Sequence, residues 1–286
     1  MRILLTGSKG QIGQCFKNRL PEEWELIAAD SKTMDITDAH NVLNMVKTFE
    51  PDVIVNAAGY AHVNQAENEV ARAFAVNAQG TQNLAAAAKA VGARLIHLST
   101  EQVFDGRQNS PITETVAPNP LNVYGKSKLA GELLALNTHV DTVIVRSSWV
   151  YSEYGENFAK IILRNGLAQK HLRLVADQVI APTYAGDLAN ALIQIIQSHH
   201  LMHGIYHFTG QQLMSAAEFA GQIFQAAAVK DKAYTDVVIE PISITDNDNT
   251  KSPPYTVLDN SLLRGLLSEP IADTPIKWAV EQLLSA

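Results

Sequence analysis

The chain has 286 residues, 47% of them hydrophobic and 7% aromatic, enough to bury a large α/β core as one domain or as one domain with a smaller lobe. Its 22 basic and 29 acidic residues give a net charge of -7 with no long lysine or arginine cluster, which sets aside nucleic acid as a partner. The single Cys15 excludes an internal disulfide, no apolar run is long enough to span a bilayer, and the chain opens directly on a strand-like run, so a cytoplasmic setting without membrane contact is expected.

Ile3-Leu4-Leu5-Thr6 is a continuous apolar run of the kind a strand buried on both faces requires. Gly7-Ser8-Lys9-Gly10-Gln11-Ile12-Gly13 follows at once, and a helix-like stretch runs on to about Leu20. Glycines there permit a tight turn and a close approach of a diphosphate to backbone N–H groups, while the helix start adds partial positive charge. A glycine-rich loop alone is often only a turn. The preceding strand and the following helix make Gly7, Gly10, Gln11, Ile12 and Gly13 candidate dinucleotide contacts.

A second strand is expected over Glu25 to Ala29, ending at Asp30, whose carboxylate can accept from adenine-ribose hydroxyls and disfavour a 2′-phosphate. Ser31 and Lys32 come next and could hold such a phosphate, so both NADH and NADPH stay open. Asp35-Ile36-Thr37-Asp38 reads as a loop into a helix capped by Thr37 or Asp38, with Asp35 and Ile36 as candidate adenine contacts. Val53 to Asn56 is the third strand, and Ala57-Ala58-Gly59 beyond it are small enough for a cofactor to lie against the backbone.

The alanine-rich stretch from Val70 to Val91 reads as one long helix containing Asn77, placed to buttress that loop. Leu95 to Leu98 is the fourth strand, with Ser99-Thr100 at its carboxyl end, where open parallel sheets bind ligands. An irregular segment, Glu101 to Asn122, leads into a helix carrying Tyr124 and Lys128. Four residues apart, these two share a helix face, and the ammonium would favour the phenolate. Thr142 to Arg146 is the fifth strand, and the loop after it, with Trp149, Tyr151, Asn157 and Phe158, is expected over the cofactor. Leu172 to Val175 and Ile205 to Phe208 read as short strands, Asp187 to Gln197 and Ala216 to Ala228 as helices, and Asp231 to Pro254 as a polar, proline-bearing segment. His199, His200 and His203 have metal-like spacing but no accompanying carboxylate or cysteine, which suits a solvated helix end. Cys15 is expected to pack against the sheet.

The glycines spaced three and three, Asn56-Ala57-Ala58, Ser99-Thr100, and Tyr124 with Lys128 together resemble the extended short-chain dehydrogenase/reductase family. Within it the likeness is closest to dTDP-4-dehydrorhamnose reductases, through Pro51 to Ala58, Val103-Phe104-Asp105-Gly106, Pro120 to Glu132, Arg146 to Tyr151, Asn157-Phe158 and Gln178 with Pro182-Thr183. That resemblance implies an α/β fold: a Rossmann-type doubly wound parallel sheet with a small C-terminal substrate lobe. Residues 1–148 would form the NAD(P)-binding core, completed by segments within about 185–208, and 149–286 mainly the lobe.

It further implies reduction of the 4-keto group of a nucleotide-linked deoxysugar, in dTDP-rhamnose biosynthesis or a related route. Tyr124 would give the proton, Thr100 would hydrogen-bond the same oxygen, and Lys128 would hold the nicotinamide ribose. Ala57, Ala58, Gly59, Asn77 and Ser99 would lie on the cofactor side; Val63, Gln102, Trp149 and Asn157 would face the substrate. Departures fall on the substrate side: Glu101-Gln102 stands for the usual Asp-Tyr, Ala61 to Glu67 differs from the usual loop, and Ser252-Pro253 replaces an Arg-Pro pair. Cys15 takes the place of an acidic residue through which some relatives bind a metal, so no metal is expected. Pairing of the helices near 70–91 and 122–136 would make a homodimer. A non-catalytic NAD(P)-binding regulatory subunit and a nucleotide-sugar epimerase or dehydratase are the alternatives.

Overall fold

Runs of valine, isoleucine and leucine become parallel strands alternating with helices in the computed structural model, which describes residues 1–198, 203–246 and 252–285. β1 (Arg2–Thr6) leads through the glycine turn into α1 (Gln11–Lys17), β2 (Glu25–Ala28), α2 (Ala39–Phe49) and β3 (Val53–Asn56). Ile3, Leu4, Leu5, Ile54 and Val55 are wholly buried, because helices cover both faces and leave these strands no solvent side. Asp38, not Thr37, caps α2: its carboxylate accepts from the backbone N–H groups of His40 and Asn41.

After β3 come α3 (Val63–Ala66) and α4 (Val70–Phe74), and the single helix expected over 70–91 is interrupted. Residues Ala75–Gly80 wind as a π-helical segment before α5 (Thr81–Val91). Such widened turns occur mostly at functional positions. Here it carries Asn77, whose side chain accepts from Tyr60 N (2.8 Å) and donates to Tyr60 O (3.0 Å) and Ser127 Oγ (2.9 Å). Asn77 therefore buttresses the loop after β3.

β4 (Arg94–Thr100) is longer than expected and runs through Thr100 itself; a 3-10 turn at Glu101–Val103 and an irregular stretch then reach α6 (Val123–Thr138) and β5 (Thr142–Ser147). Asn122 starts α6, its Oδ1 accepting from Gly125 N at 2.8 Å. α6 lies directly on the π-helical segment, since a Cβ on Gly131 would stand 2.1 Å from the Asn77 carbonyl oxygen.

Beyond β5 the chain leaves the sheet to form β6 (Val150–Tyr151), α7 (Phe158–Gln169), β7 (His171–Val175) and β8 (Thr183–Tyr184). It returns with α8 (Ala185–Gln197) and β9 (Gly204–His207), then leaves again through α9 (Ala216–Lys230) and β10 (Val238–Ile242). α10 (Ser261–Leu266) packs Leu263 on the sheet core, and α11 (Ile276–Ser285) closes the chain against α9. Among the described residues, six parallel strands form one sheet in the order β2-β1-β3-β4-β5-β9, the Rossmann-like α/β arrangement. Chain direction across the sheet reverses between β1 and β3, and the crevice above such a reversal is where these sheets bind ligands.

A separate apolar cluster of Tyr151, Leu163, Phe219, Phe224 and Val280 fills the outlying elements, which the parallel pairs β6–β8 and β7–β10 tie together. β10 lies within the stretch expected to be only polar and proline-bearing; Pro241 and Glu240 break its apolar pattern, as an edge strand tolerates. Of the three clustered histidines, His199 and His200 lie outside the described residues and His203 is exposed. Among the described residues, no three His, Cys, Asp or Glu side chains are grouped to hold a metal, and no helix is long and apolar enough to cross a membrane. Replacing Gly131 by alanine would push α6 off the Asn77 turn, so Gly131→Ala should lower unfolding stability by about 1–3 kcal/mol in denaturant titration.

Candidate active site

The carboxyl ends of β1, β3 and β4 and the start of α6 open onto one cleft of about 490 Å³. Gly10, Gln11 and Ile12 line its floor, Ala57, Ala58 and Gly59 one wall, and Thr100, Tyr124 and Lys128 the centre. Gly7 and Gly13 stand behind the floor and serve the backbone. Gly7 has φ +67°, and a Cβ on it would lie 2.5 Å from Ala57 and Ala58 backbone atoms; a Cβ on Gly13 would lie 2.3 Å from the Gly7 carbonyl oxygen. The bare glycine loop is thus drawn against the loop after β3, leaving between Gly10 and Gly59 an open cradle that fits a dinucleotide.

Other expected cofactor contacts are placed less directly. Asp30 is already engaged: Lys9 forms an ion pair with it, and its Oδ1 accepts from the backbone N–H groups of Lys32 (2.9 Å) and Thr33 (3.0 Å). The hydrogen bond from Lys9 and those from this turn hold its carboxyl well below the usual range. Asp35 accepts from Thr37 N and Oγ1 and is exposed, while Ile36 is buried where a Cβ on Gly80 would meet it at 2.7 Å. Neither residue lines the cleft.

On the far side, Val63, Gln102, Trp149 and Phe158 line the cleft as expected. Trp149 adopts φ +46°, an uncommon conformation for a bulky residue, and its ring meets Phe158 edge-on at 5.0 Å between centroids. Asn157 and Tyr151, expected beside them, are elsewhere. Asn157 caps α7 and donates to Ser152 O (2.8 Å), and Tyr151 is buried in the lobe cluster. Sequence pattern in an irregular loop gives no facing, so neighbours in the chain could not be sorted. Ser147 was missed: it lines the cleft, and its buried hydroxyl has no hydrogen-bond partner among the described residues.

At the centre, beside Tyr124 in the cleft, Thr100 donates to Glu101 Oε2 at 2.8 Å and accepts from Gln102 N at 3.2 Å. Burial, then the charge of Glu101, holds the Tyr124 phenol above its usual range, with Thr100 opposing them. The expected lowering of Tyr124 by Lys128 does not occur. The ammonium of Lys128 is directed instead at Leu98 O, 2.6 Å away, and at His97 Nε2, 3.3 Å away. Burial pulls Lys128 down to about 8 against the attraction of Glu132.

His97 reinforces this. Asn56 Oδ1 accepts from Thr6 Oγ1 (2.7 Å), so its amide nitrogen faces His97 Nδ1 at 2.9 Å. Nδ1 must then accept, and the neutral ring turns Nε2–H toward Lys128, where it favours the amine over the ammonium. Burial and Lys128 keep the His97 ring neutral. Ser99 lines the cleft, but its hydroxyl donates away from it, to Glu132. Glu132 also takes Arg146 Nε at 2.9 Å and Nη2 at 2.6 Å, with both side chains 1% exposed. Cys15 is packed in the sheet core as expected, and burial pushes its thiol up to about 12.

Known proteins resemble the chain along nearly its whole length. The family model described as RmlD substrate binding domain matches residues 1–283. A dTDP-4-dehydrorhamnose reductase of Aggregatibacter actinomycetemcomitans is 40% identical over 265 residues, 90% of each chain. Spore coat polysaccharide biosynthesis protein SpsK of Bacillus subtilis is 35% identical over 91% of this chain and 89% of its own. Among solved structures, a dTDP-4-dehydrorhamnose reductase from Clostridium acetobutylicum has TM-score 0.91 and 33% identity, covering 100% of this chain and 99% of that one. The Bacillus anthracis enzyme of the same name, solved with NADP, has TM-score 0.89 and 33% identity, covering 99% and 98%.

The Glu132–Arg146 pair is fully removed from water, so taking away one charge strands the other. Glu132→Gln should cost about 3–5 kcal/mol of unfolding free energy, measured by denaturant titration.

Proposed function

Because the chain belongs to the RmlD substrate-binding domain family, we propose that it reduces the 4-keto group of a nucleotide-linked deoxysugar with NADH or NADPH, as its relatives named dTDP-4-dehydrorhamnose reductase suggest. The observation that carries this is Tyr124, a phenol lining the cleft with Thr100 and kept protonated chiefly by burial. In that state it gives a proton rather than taking one, as conversion of a carbonyl to an alcohol requires.

When bound, NADH or NADPH supplies the hydride. Tyr124 protonates the carbonyl oxygen and Thr100 hydrogen-bonds it; donors waiting where negative charge develops lower the barrier. Lys128, anchored on Leu98 O, holds the nicotinamide-side ribose. Gly10, Gln11 and Ile12 offer backbone to the diphosphate, and Ala57 to Gly59 let the cofactor lie close. Lys9 beside Asp30 offsets the charge that would turn away a 2′-phosphate, so neither cofactor is refused.

Val63, Gln102, Ser147 and Trp149 form the substrate wall. Residues 1–148 with about 185–208 make the cofactor half, and the rest of 149–286 the substrate lobe. A second copy would dock through α4, α5 and α6, where Val70 (45%) and Leu133 (53%) are exposed, which sedimentation measures directly. A reducing cytoplasm suits the one thiol, Cys15, which is buried. A non-catalytic subunit would have no use for the Thr100, Tyr124 and Lys128 set.

Tyr124→Phe should lower kcat for a 4-keto nucleotide sugar by about 10²- to 10⁴-fold, followed as loss of NADH absorbance, and leave NADH binding by fluorescence titration in place. Undiminished turnover would refute the role.

A further inference from the structure

Glu101 is 4% exposed, and it is a charge-bearing residue for which the reduction described above has no use. It follows directly on Thr100 and lines the cleft. The two hydrogen bonds at the Thr100 hydroxyl fix a direction. A threonine hydroxyl has one proton and two acceptor sites. Its proton goes to Glu101 Oε2 (2.8 Å), and one acceptor site takes Gln102 N–H (3.2 Å), so no proton is left for a second acceptor. With Glu101 ionised the Thr100 proton is therefore held on Glu101 and points away from a substrate oxygen.

Protonating Glu101 reverses it. The carboxylic acid then donates to Thr100 Oγ1, whose two acceptor sites are filled by Glu101 and Gln102. The proton of Thr100 is released toward the cleft.

Resting on the reductase reading, we propose that Glu101 is a positioning residue whose proton sets the direction of the Thr100 hydroxyl, making it a donor to the substrate carbonyl only while Glu101 is neutral. Its surroundings allow this. Thr100 donates to it, but no cation among the described residues offsets the loss of water, and burial pushes the carboxyl up to about 7. From α6, Tyr124 is the titratable group that faces it; Lys128 is turned to Leu98 O and His97 on β4, and Glu132 is taken by Arg146 on β5. Glu67, ahead of α4, accepts from Val123 N. A neutral Glu101 also lifts the charge that opposes ionisation of Tyr124, so both effects favour reduction below the carboxyl's midpoint and fade above it.

The test is the pH profile of kcat for keto-sugar reduction, at saturating cofactor, for the full chain and two variants. Glu101→Gln presents a permanent N–H donor, so its alkaline fall should shift upward to the limb set by Lys128. The ratio of variant to wild-type kcat should grow about tenfold per pH unit above neutrality until that limb begins. Glu101→Ala, which gives Thr100 no donor, should be slow at every pH, with NADH binding by fluorescence reporting that each variant is folded.

Infrared difference spectra of the protein between about pH 5 and about pH 9 supply a readout that needs no turnover. The carbonyl band of a buried carboxylic acid should vanish with a near-neutral midpoint and be missing in Glu101→Gln. Equal alkaline midpoints in wild type and Glu101→Gln, or an ionised Glu101 throughout, would overturn the proposal while leaving the reductase reading intact. A protein that shows the band and reduces no keto sugar would sink that reading instead.

Discussion

One buried contact orders the rest of the cleft: the two-pronged grip of Arg146 on Glu132, which also receives the hydroxyl of Ser99. It joins α6 to the ends of β4 and β5, and the Arg146 guanidinium further stacks on Phe104 at 5.0 Å. Tyr124, Lys128 and Glu132 follow one another at four-residue intervals, so they share one face of α6. Fixing Glu132 to the strand ends thereby brings the other two over Thr100. Removing both charges from water costs much of what their attraction returns, so the pair fixes geometry more than it adds stability.

The same loss of water explains the protonation pattern. Burial favours whichever form of a group carries no charge, and it moves Tyr124 and Glu101 up and Lys128 and His97 down. No specific partner is needed to make this cleft a place of neutral donors. The lysine that might have been expected to sharpen the tyrosine is spent on a backbone carbonyl and a histidine.

Much of the scaffold is visible in the amino acids, because strands enclosed on both faces must be apolar throughout. Ile3 to Leu5, Val53 to Val55 and Val143 to Val145 show it. The residues at strand ends, Thr100 above all, follow from that topology. What escaped was whatever depends on side-chain direction. Four-residue spacing puts Lys128 on the face of Tyr124 but does not say that its stem continues to Leu98 O. Asn157 and Tyr151 sit in an irregular stretch with no period to read. The interior placing of Glu101 ran against the expectation that a carboxylate seeks water. A charge set directly on the end of a buried strand was the available clue.

Trp149 forms part of the cleft wall, yet its fastenings belong to the outlying lobe. Its carbonyl accepts from Thr183 N at 3.2 Å, its ring rests on Phe158, and Phe158 stacks on Phe219 of α9. Thr100 and Tyr124 hang on the sheet and α6, on the opposite side of the gap. Two separately rooted surfaces thus meet over one ligand, and each can drift in evolution without dragging the other. Changes deep among the lobe's aromatics can reshape the Trp149 wall while the Thr100 and Tyr124 side is inherited intact.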